Sequence, residues 1–198
     1  MRLGGLASHA GTILQAVIDA FKNGTIDGEL RLVIGNNSSS GALKRAATEG
    51  IPTSHISAKT HPDFDERDRA IARTLHAFDC NWVLLAGYMK RLGPVTLSGF
   101  EHRLINTHPS LLPKYGGRGF YGLKVHEAVI AAADTVTGIS VHYVSSDYDT
   151  GPLIAQTRIP VDPGDTAQTL EARVKTLEKT FIVETLRKLS RTARSASV

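Results

Sequence analysis

The sequence predicts a single α/β domain built on a doubly wound, mostly parallel β-sheet. Strand-like apolar runs alternate with helical patterns from the first residues onward. Residues 82–86 are continuously apolar, which is typical of a strand covered by helices on both faces. A length of 198 residues is enough to bury a full hydrophobic core.

Seven strands are predicted, and the sixth differs from the others. Its apolar and polar residues alternate, as in a strand that faces two environments: Ile139, Val141 and Tyr143 share one face, and Ser140, His142 and Val144 share the other. In chain order the predicted strands cover residues 3–7, 30–35, 53–56, 82–86, 104–107, 137–144 and 153–161.

Six helices are predicted between and after these strands. The first carries an apolar stripe with helical spacing, the second ends at Gly50, and the third begins at Pro62 and Asp63. The last is long and amphipathic. In chain order the predicted helices cover residues 12–22, 42–49, 62–78, 94–100, 125–133 and 166–189.

The positive charge of the chain is concentrated at its end. The formal net charge is +4, and the last twelve residues hold four basic side chains and no acid, so the rest of the chain is balanced. We therefore expect residues 1–189 to form the domain and residues 190–198 to be a basic, disordered tail. A balanced body argues against a nucleic-acid partner.

Other classes of protein are disfavoured by composition. The single cysteine, Cys80, cannot form an internal disulfide, and we expect it to be buried and inert. No apolar run is long enough to span a membrane, so a cytoplasmic location is the default expectation. The histidines are scattered without metal-ligand spacing, so no metal site is predicted. The oligomeric state is not indicated.

The segment 106–113, Asn-Thr-His-Pro-Ser-Leu-Leu-Pro, follows a buried strand and leaves the sheet as a fixed loop because of its two prolines. In open α/β sheets, ligands bind at the carboxyl ends of strands. Asn106 and His108 are two residues apart and share a face in extended chain. A neutral amide donor beside an imidazole suits a carbonyl that becomes an oxyanion.

Three further features could contribute to a site. The turn at residues 8–12 opens the first helix, whose free N–H groups suit an anion, although an ordinary turn explains it equally well. Asp147 and Asp149 follow the sixth strand; either could raise the pKa of His108, or simply form a turn. His142 is either structural or a minor candidate for catalysis.

The stretches 106–114, 140–144 and 149–152 together resemble the folate-dependent formyltransferases, and the similarity runs from about residue 3 to residue 189. This resemblance implies a Rossmann-like topology and transfer of a formyl group from 10-formyltetrahydrofolate to an amine. Residues 14–16, 84–89 and 172–178 also match, and within this family they favour glycinamide ribonucleotide, a phosphorylated ribosyl amine of de novo purine biosynthesis, as the acceptor. Small-molecule substrates are thus the implied partners, without a metal.

The resemblance also implies roles by position. The catalytic trio corresponds to Asn106, His108 and Asp149. The remaining positions fall into two groups: the folate pocket is implied at Met89, Lys90, Arg91, Leu92, Val144 and Asp147, and the amine substrate at Gly11, Thr12, Ile13, Pro109 and Glu178.

Two positions depart from the family pattern. Ile13 stands where a polar side chain is usual, so only backbone N–H groups and the Thr12 hydroxyl remain for a phosphate. Phe64 stands where some members use an arginine for the folate tail, and Arg67 could substitute.

Three alternatives stay open at this point. Another folate-dependent formyltransferase would act on a sugar nucleotide or on methionyl-tRNA, and the latter would need a further carboxyl-terminal domain. A formyltetrahydrofolate deformylase would use the same three side chains for hydrolysis and usually carries an added amino-terminal domain. A non-catalytic nucleotide-binding module would leave those side chains idle.

Overall fold

The computed structural model describes the backbone of residues 1–195 and the side chains of residues 1–192. The strands are β1 Arg2–Ala7, β2 Glu29–Gly35, β3 Thr53–His55, β4 Trp82–Leu85, β5 Leu104–His108, β6 Val136–Tyr143 and β7 Leu153–Pro160. The helices are α1 Thr12–Lys22, α2 Gly41–Thr48, α3 Phe64–Ala77, α4 Pro94–Gly99, α5 Leu123–Ala131 and α6 Ala167–Ser195.

The strands form one seven-stranded sheet in the order β3-β2-β1-β4-β5-β6-β7. The first five strands in the chain pair in parallel, and β6 and β7 pair antiparallel. The predicted fold class is therefore confirmed. The strand order reverses between β1 and β4, and in such sheets a ligand crevice opens beyond the carboxyl ends of the strands at that point.

Helices cover the two faces of the sheet, as the continuous apolar run of β4 predicts. On one face α1, α2 and α6 pack on a cluster that includes Ile105 and Val141. On the other face α3 packs on Leu85 and Leu104. Successive residues of β5 therefore point into different layers, and this alternation reaches the end of the strand.

All thirteen predicted elements are present, and their bounds agree with the prediction to within two residues except at the end of the chain. There α6 continues through Ser195, so disorder beginning after residue 189 is wrong for residues 190–195. Ser190 is buried and its Oγ donates to the carbonyl of Arg187, and basic side chains near a helix C-terminus interact favourably with its dipole. Residues 196–198 of the predicted tail lie outside the described residues.

Cys80 is buried beside β1, as expected, and burial raises the pKa of its thiol to about 11. Within the part of the chain that the structure describes, no helix is both long enough and apolar enough to cross a membrane.

Candidate active site

Three loops meet beyond the carboxyl ends of neighbouring strands. The turn after β1 precedes α1, the segment 87–92 follows β4, and the predicted loop follows β5. Ser8 joins the first two, because its backbone N–H donates to the Gly87 carbonyl at 3.3 Å and its Oγ accepts from the Met89 N–H at 2.8 Å. The site therefore lies at the point where the strand order reverses.

The loop after β5 is held by hydrogen bonds as well as by its prolines. Ser140 of β6 is fully buried; its Oγ donates to the Ser110 carbonyl and accepts from the Leu112 N–H and from Gln156 Nε2. The Ser110 Oγ donates to the Lys114 carbonyl at 2.6 Å. These contacts fix the position of Asn106 and His108 at the strand end.

Asn106, His108 and Asp149 form one cluster. Asp149 Oδ2 lies 3.4 Å from His108 Nδ1, and Asp149 Oδ1 accepts from Asn106 Nδ2 at 3.4 Å. The Asp149 carboxylate is held by the backbone N–H of Gly117 at 2.9 Å. Because β5 and β6 pair antiparallel, His142 stands directly opposite Asn106 and joins the same cluster. The structure thus favours Asp149 as the carboxylate partner of His108, because Asp147 is exposed.

Hydrogen bonds assign the proton positions of the two histidines. The Tyr115 carbonyl lies 2.7 Å from His108 Nε2, and a carbonyl only accepts, so Nε2 carries a proton and Nδ1 titrates facing Asp149. In the same way, the Tyr143 carbonyl at 2.8 Å assigns a proton to His142 Nδ1. His142 Nε2 then accepts from Asn106 Nδ2 at 3.1 Å, which orients that amide.

Burial and Asp149 act on the pKa of His108 in opposite directions. Burial lowers the pKa of His108; Asp149 and the Tyr115 carbonyl act in the opposite direction but do not outweigh burial. The pKa of Asp149 is lowered overall: burial raises it, and the charge of His108 and the hydrogen bond from the Gly117 N–H act in the opposite direction. At neutral pH the site therefore holds a neutral imidazole beside a carboxylate.

An open cleft lies beside this cluster, on the α3 face of the sheet. Asn106 and Asp149 form its inner end. Five of the six predicted folate residues line it, namely Lys90, Arg91, Leu92, Val144 and Asp147, together with Leu85, Tyr88 and His142. Met89 does not line it; its side chain is exposed and its N–H is bound to Ser8.

The turn before α1 has the form of an anion site. Gly11 is the N-cap residue in a left-handed conformation, and no side chain caps the helix, so its first N–H groups are free. The Arg45 side chain of α2 lies beside the turn and donates to the Ala10 carbonyl at 3.0 Å. Thr12 is exposed, whereas Ile13 packs partly into the core, which explains an apolar residue there.

Glu178 reaches the site from the opposite layer. It is buried in α6, and its Oε1 accepts from the Thr107 hydroxyl at 2.9 Å. Thr107 lies between Asn106 and His108 in β5, but its side chain faces α6. The side chains of Asn106 and His108 face the opposite side of the sheet, where the cleft lies. Pro109, half-buried, follows directly at the strand end. The end of β5 thus borders both the cleft on the α3 face of the sheet and the opposite face, which α1 and α6 cover.

Sequence reasoning missed or undervalued three contacts. The role of His142 could have been inferred only from its register opposite Asn106. The contact between the Tyr115 carbonyl and His108 uses a backbone group, so the identity of residue 115 does not indicate it. The Thr107–Glu178 contact had one available signal, since Glu178 interrupts an apolar stripe with a spacing of four residues. The suggested substitute Arg67 donates to the His61 carbonyl and stacks over Phe64, 5.5 Å from its ring centre.

Comparisons with known proteins identify the family of the chain. The formyl transferase family model matches residues 1–186. A phosphoribosylglycinamide formyltransferase of Escherichia coli is 38% identical over 87% of this chain and 79% of its own length. A chloroplastic protein of the same name from Vigna unguiculata is 37% identical over 95% of this chain, which spans 60% of that relative. The crystal structure of glycinamide ribonucleotide transformylase 1 from Symbiobacterium toebii superposes with a TM-score of 0.90 at 33% identity, covering 97% of this chain and 88% of the other.

The family match covers nearly the whole chain, and it includes the end of β5 and the loop after β6 that together bring Asn106, His108 and Asp149 into one cluster. The chain belongs to the formyl transferase family.

Proposed function

We propose that the protein transfers the formyl group of 10-formyltetrahydrofolate to the amine of glycinamide ribonucleotide, a step of de novo purine biosynthesis. The observation that carries this proposal is the cluster of Asn106, His108 and Asp149 at the end of β5. It lies between an open cleft and an uncapped helix N-terminus. The names of the relatives from Escherichia coli and Vigna unguiculata support the same substrates.

The two sides of the strand end suit the two substrates. Leu85, Leu92 and Val144 give the cleft apolar walls for the flat ring of the folate. Lys90 and Arg91 bring positive charge to the same cleft, which suits the carboxylates of a folate tail. On the other side, the backbone of Gly11, Thr12 and Ile13 would hold the ribose phosphate. Glu178 would orient the amine, with Pro109 bordering it.

In this mechanism the amine attacks the formyl carbon directly, and the formyl oxygen becomes an oxyanion. Asn106 donates to that oxygen with the N–H that now makes the longer contact, to Asp149 Oδ1 at 3.4 Å. Its other N–H stays on His142, so the amide keeps its orientation. Losing one such donor typically costs ~100- to 1000-fold in rate.

His108 moves the proton in this proposal. It starts neutral, because burial lowers its pKa, and Nδ1 is the nitrogen without a proton. Attack makes the amine nitrogen acidic, and its proton passes to Nδ1, where Asp149 stabilises the resulting cation. The same proton then goes to the folate nitrogen as the carbon–nitrogen bond to the formyl group breaks. No metal is part of this mechanism.

The proposal also includes a cytoplasmic location and small molecules as the only substrates. The Vigna unguiculata relative is named as chloroplastic, so targeting can differ among similar proteins.

Incubation with 10-formyltetrahydrofolate, with and without glycinamide ribonucleotide, tests the reaction. Release of tetrahydrofolate only when the ribonucleotide is present, with formylated ribonucleotide as product, is expected. Release at the same rate without the ribonucleotide would instead indicate a deformylase. No release under either condition would leave only a binding module and overturn the proposal.

The variant His108→Ala ties the reaction to this cluster. Turnover should fall ~100-fold or more, since positioned acid–base catalysis contributes ~100- to 10,000-fold, while folate binding measured by fluorescence changes little. His55→Ala on the edge strand β3 is the matched control and should behave like the parent. Near-parent turnover in His108→Ala would contradict the mechanism.

A further inference from the structure

We infer that Thr107 is a positioning residue for the acceptor side of the site, where its hydroxyl orients the buried Glu178 carboxyl group toward the amine substrate and favours its charged form. The inference deepens the proposed function and rests on it for the identity of the substrate. The contact itself is a property of the fold, and it can be measured without any substrate.

The setting of Glu178 in α6 explains why it needs a partner. It stands in a stripe of residues spaced four apart, in which the other four, Leu170, Val174, Ile182 and Leu186, are fully buried and apolar. Glu178 itself is only 6% exposed. A carboxylate without compensation in such a stripe would take up a proton, because burial disfavours the charged form.

The Thr107 hydroxyl supplies that compensation from β5. It donates to Glu178 Oε1 at 2.9 Å, in a contact that is buried on both sides. A hydrogen bond to the charged form of a carboxyl favours that form, and one to a charged group is stronger than a neutral one. Burial raises the pKa of Glu178, and the Thr107 hydroxyl opposes this rise more strongly than any other group.

Few other charges act on Glu178. From its own helix, Lys175 lowers the pKa of Glu178, but Lys175 already pairs with Glu171 at 2.9 Å. From α5, His126 interacts with Lys175 and Glu171. Thr107 and Lys175 are the two described residues that lower the pKa of Glu178, and the Thr107 hydroxyl has the larger effect. The hydroxyl of Thr107 is therefore the contact whose removal should change its ionisation.

The position of Thr107 makes this contact relevant to the reaction. Its neighbours Asn106 and His108 face the formyl side, and strand alternation turns Thr107 to the α6 side. The same backbone thus fixes both the carboxylate that receives the amine and the groups that act on the formyl oxygen. Misplacing a reacting group by about 1 Å can cost ~100-fold in rate, so a shared strand is an effective support.

The test compares Thr107→Val, which removes the hydroxyl at nearly constant volume, with Thr107→Ser, which keeps it. The pKa of Glu178 is measured by carboxyl carbon NMR on the substrate-free protein, with Glu178→Gln to assign the signal. Thr107→Val should raise this pKa by roughly one pH unit, and Thr107→Ser should leave it near the parent value. An unchanged pKa in Thr107→Val would overturn the inference, whatever the enzyme does.

Kinetics then test the link to the amine. In Thr107→Val the KM for glycinamide ribonucleotide should rise up to tenfold toward acid pH, because one unit of pKa reduces the ionised fraction tenfold below the pKa. The KM for the folate and the saturated rate should change little. A raised pKa with an unchanged KM for the ribonucleotide would overturn the assigned role of Glu178.

Thr137→Val is the matched control. Thr137 is a buried threonine on β6 whose hydroxyl has no hydrogen-bond partner among the described residues, so the same substitution there should leave the Glu178 pKa and both KM values unchanged. Thermal unfolding of each variant verifies that it is folded. If the parent protein does not formylate the ribonucleotide at all, the proposed function fails, while the NMR measurement still decides the Thr107–Glu178 contact.

Discussion

Asp149 Oδ2 lies 3.4 Å from His108 Nδ1, and both side chains are at least nine-tenths buried. This contact raises the pKa of His108, whereas burial lowers it. Asp149→Asn should therefore lower the pKa of His108 further and move the acid limb of kcat/KM to lower pH, since the neutral form is the active base. Imidazole NMR titration measures the pKa directly. Asp147→Asn, an exposed change in the same loop, should leave it unchanged, and a His108 pKa that rises in Asp149→Asn would contradict the assignment.

His142 should matter to the reaction through Asn106. Its Nε2 accepts from the Asn106 amide at 3.1 Å, so His142→Phe leaves that amide free to turn and should reduce kcat roughly tenfold to a hundredfold. His142→Gln keeps an acceptor and should recover part of the loss. Equal losses in the two variants would indicate a role other than orientation.

Gly11 should tolerate no side chain. Its φ of 72° is left-handed, and an added Cβ would lie 2.7 Å from Ala42 Cα, so Gly11→Ala must displace the turn before α1. Gly50 has the same φ with open space around it, and Gly50→Ala should cost only about 1 kcal/mol. Urea unfolding and the KM for the ribonucleotide measure both effects. We expect a KM increase only in Gly11→Ala, and equal KM values in the two variants would exclude the turn from the substrate site.

Asp68 should stabilise the wall of the cleft. Its buried carboxylate accepts from the N–H groups of Gly93, Val95 and Thr96, the first of which follows the cleft residue Leu92. Asp68→Ala leaves these donors unpaired and should reduce the free energy of unfolding by about 2–4 kcal/mol. Asp65→Ala, an exposed change in the same helix, should cost less than about 0.5 kcal/mol. Similar losses for the two variants in urea unfolding would contradict this role.

The order of strands and helices could be predicted because each element has a local signal. The unbroken apolar run of β4 indicated helices on both faces, and the alternation in β6 indicated a strand between unlike environments. The end of α6 could not be predicted in this way. Its last turns lack the apolar periodicity that marks a helix, and what extends them is the buried Ser190 and the favourable charge at the C-terminus.

The candidate site could be predicted only in part for a similar reason. The proximity of Asn106 and His108 could be predicted from their spacing, because residues two positions apart in a strand share a face. The contacts that Asp149, His142 and Glu178 make with β5 join residues at least 36 positions apart along the chain. Such contacts depend on register and on how a helix lies across a sheet. The charge of His108 was also out of reach, because it is set by burial against a neighbouring carboxylate.

The alternation at the end of β5 has a consequence for how the site can change over evolution. The middle residue of the triplet 106–108 contacts Glu178 of α6. In the proposed reaction, its replacement could therefore change the choice of acceptor without displacing the two residues that act on the formyl donor. An insertion or deletion of a single residue within the triplet would instead exchange the two sides and destroy both. At the end of β5, substitutions are therefore compatible with a working site, whereas insertions and deletions are not.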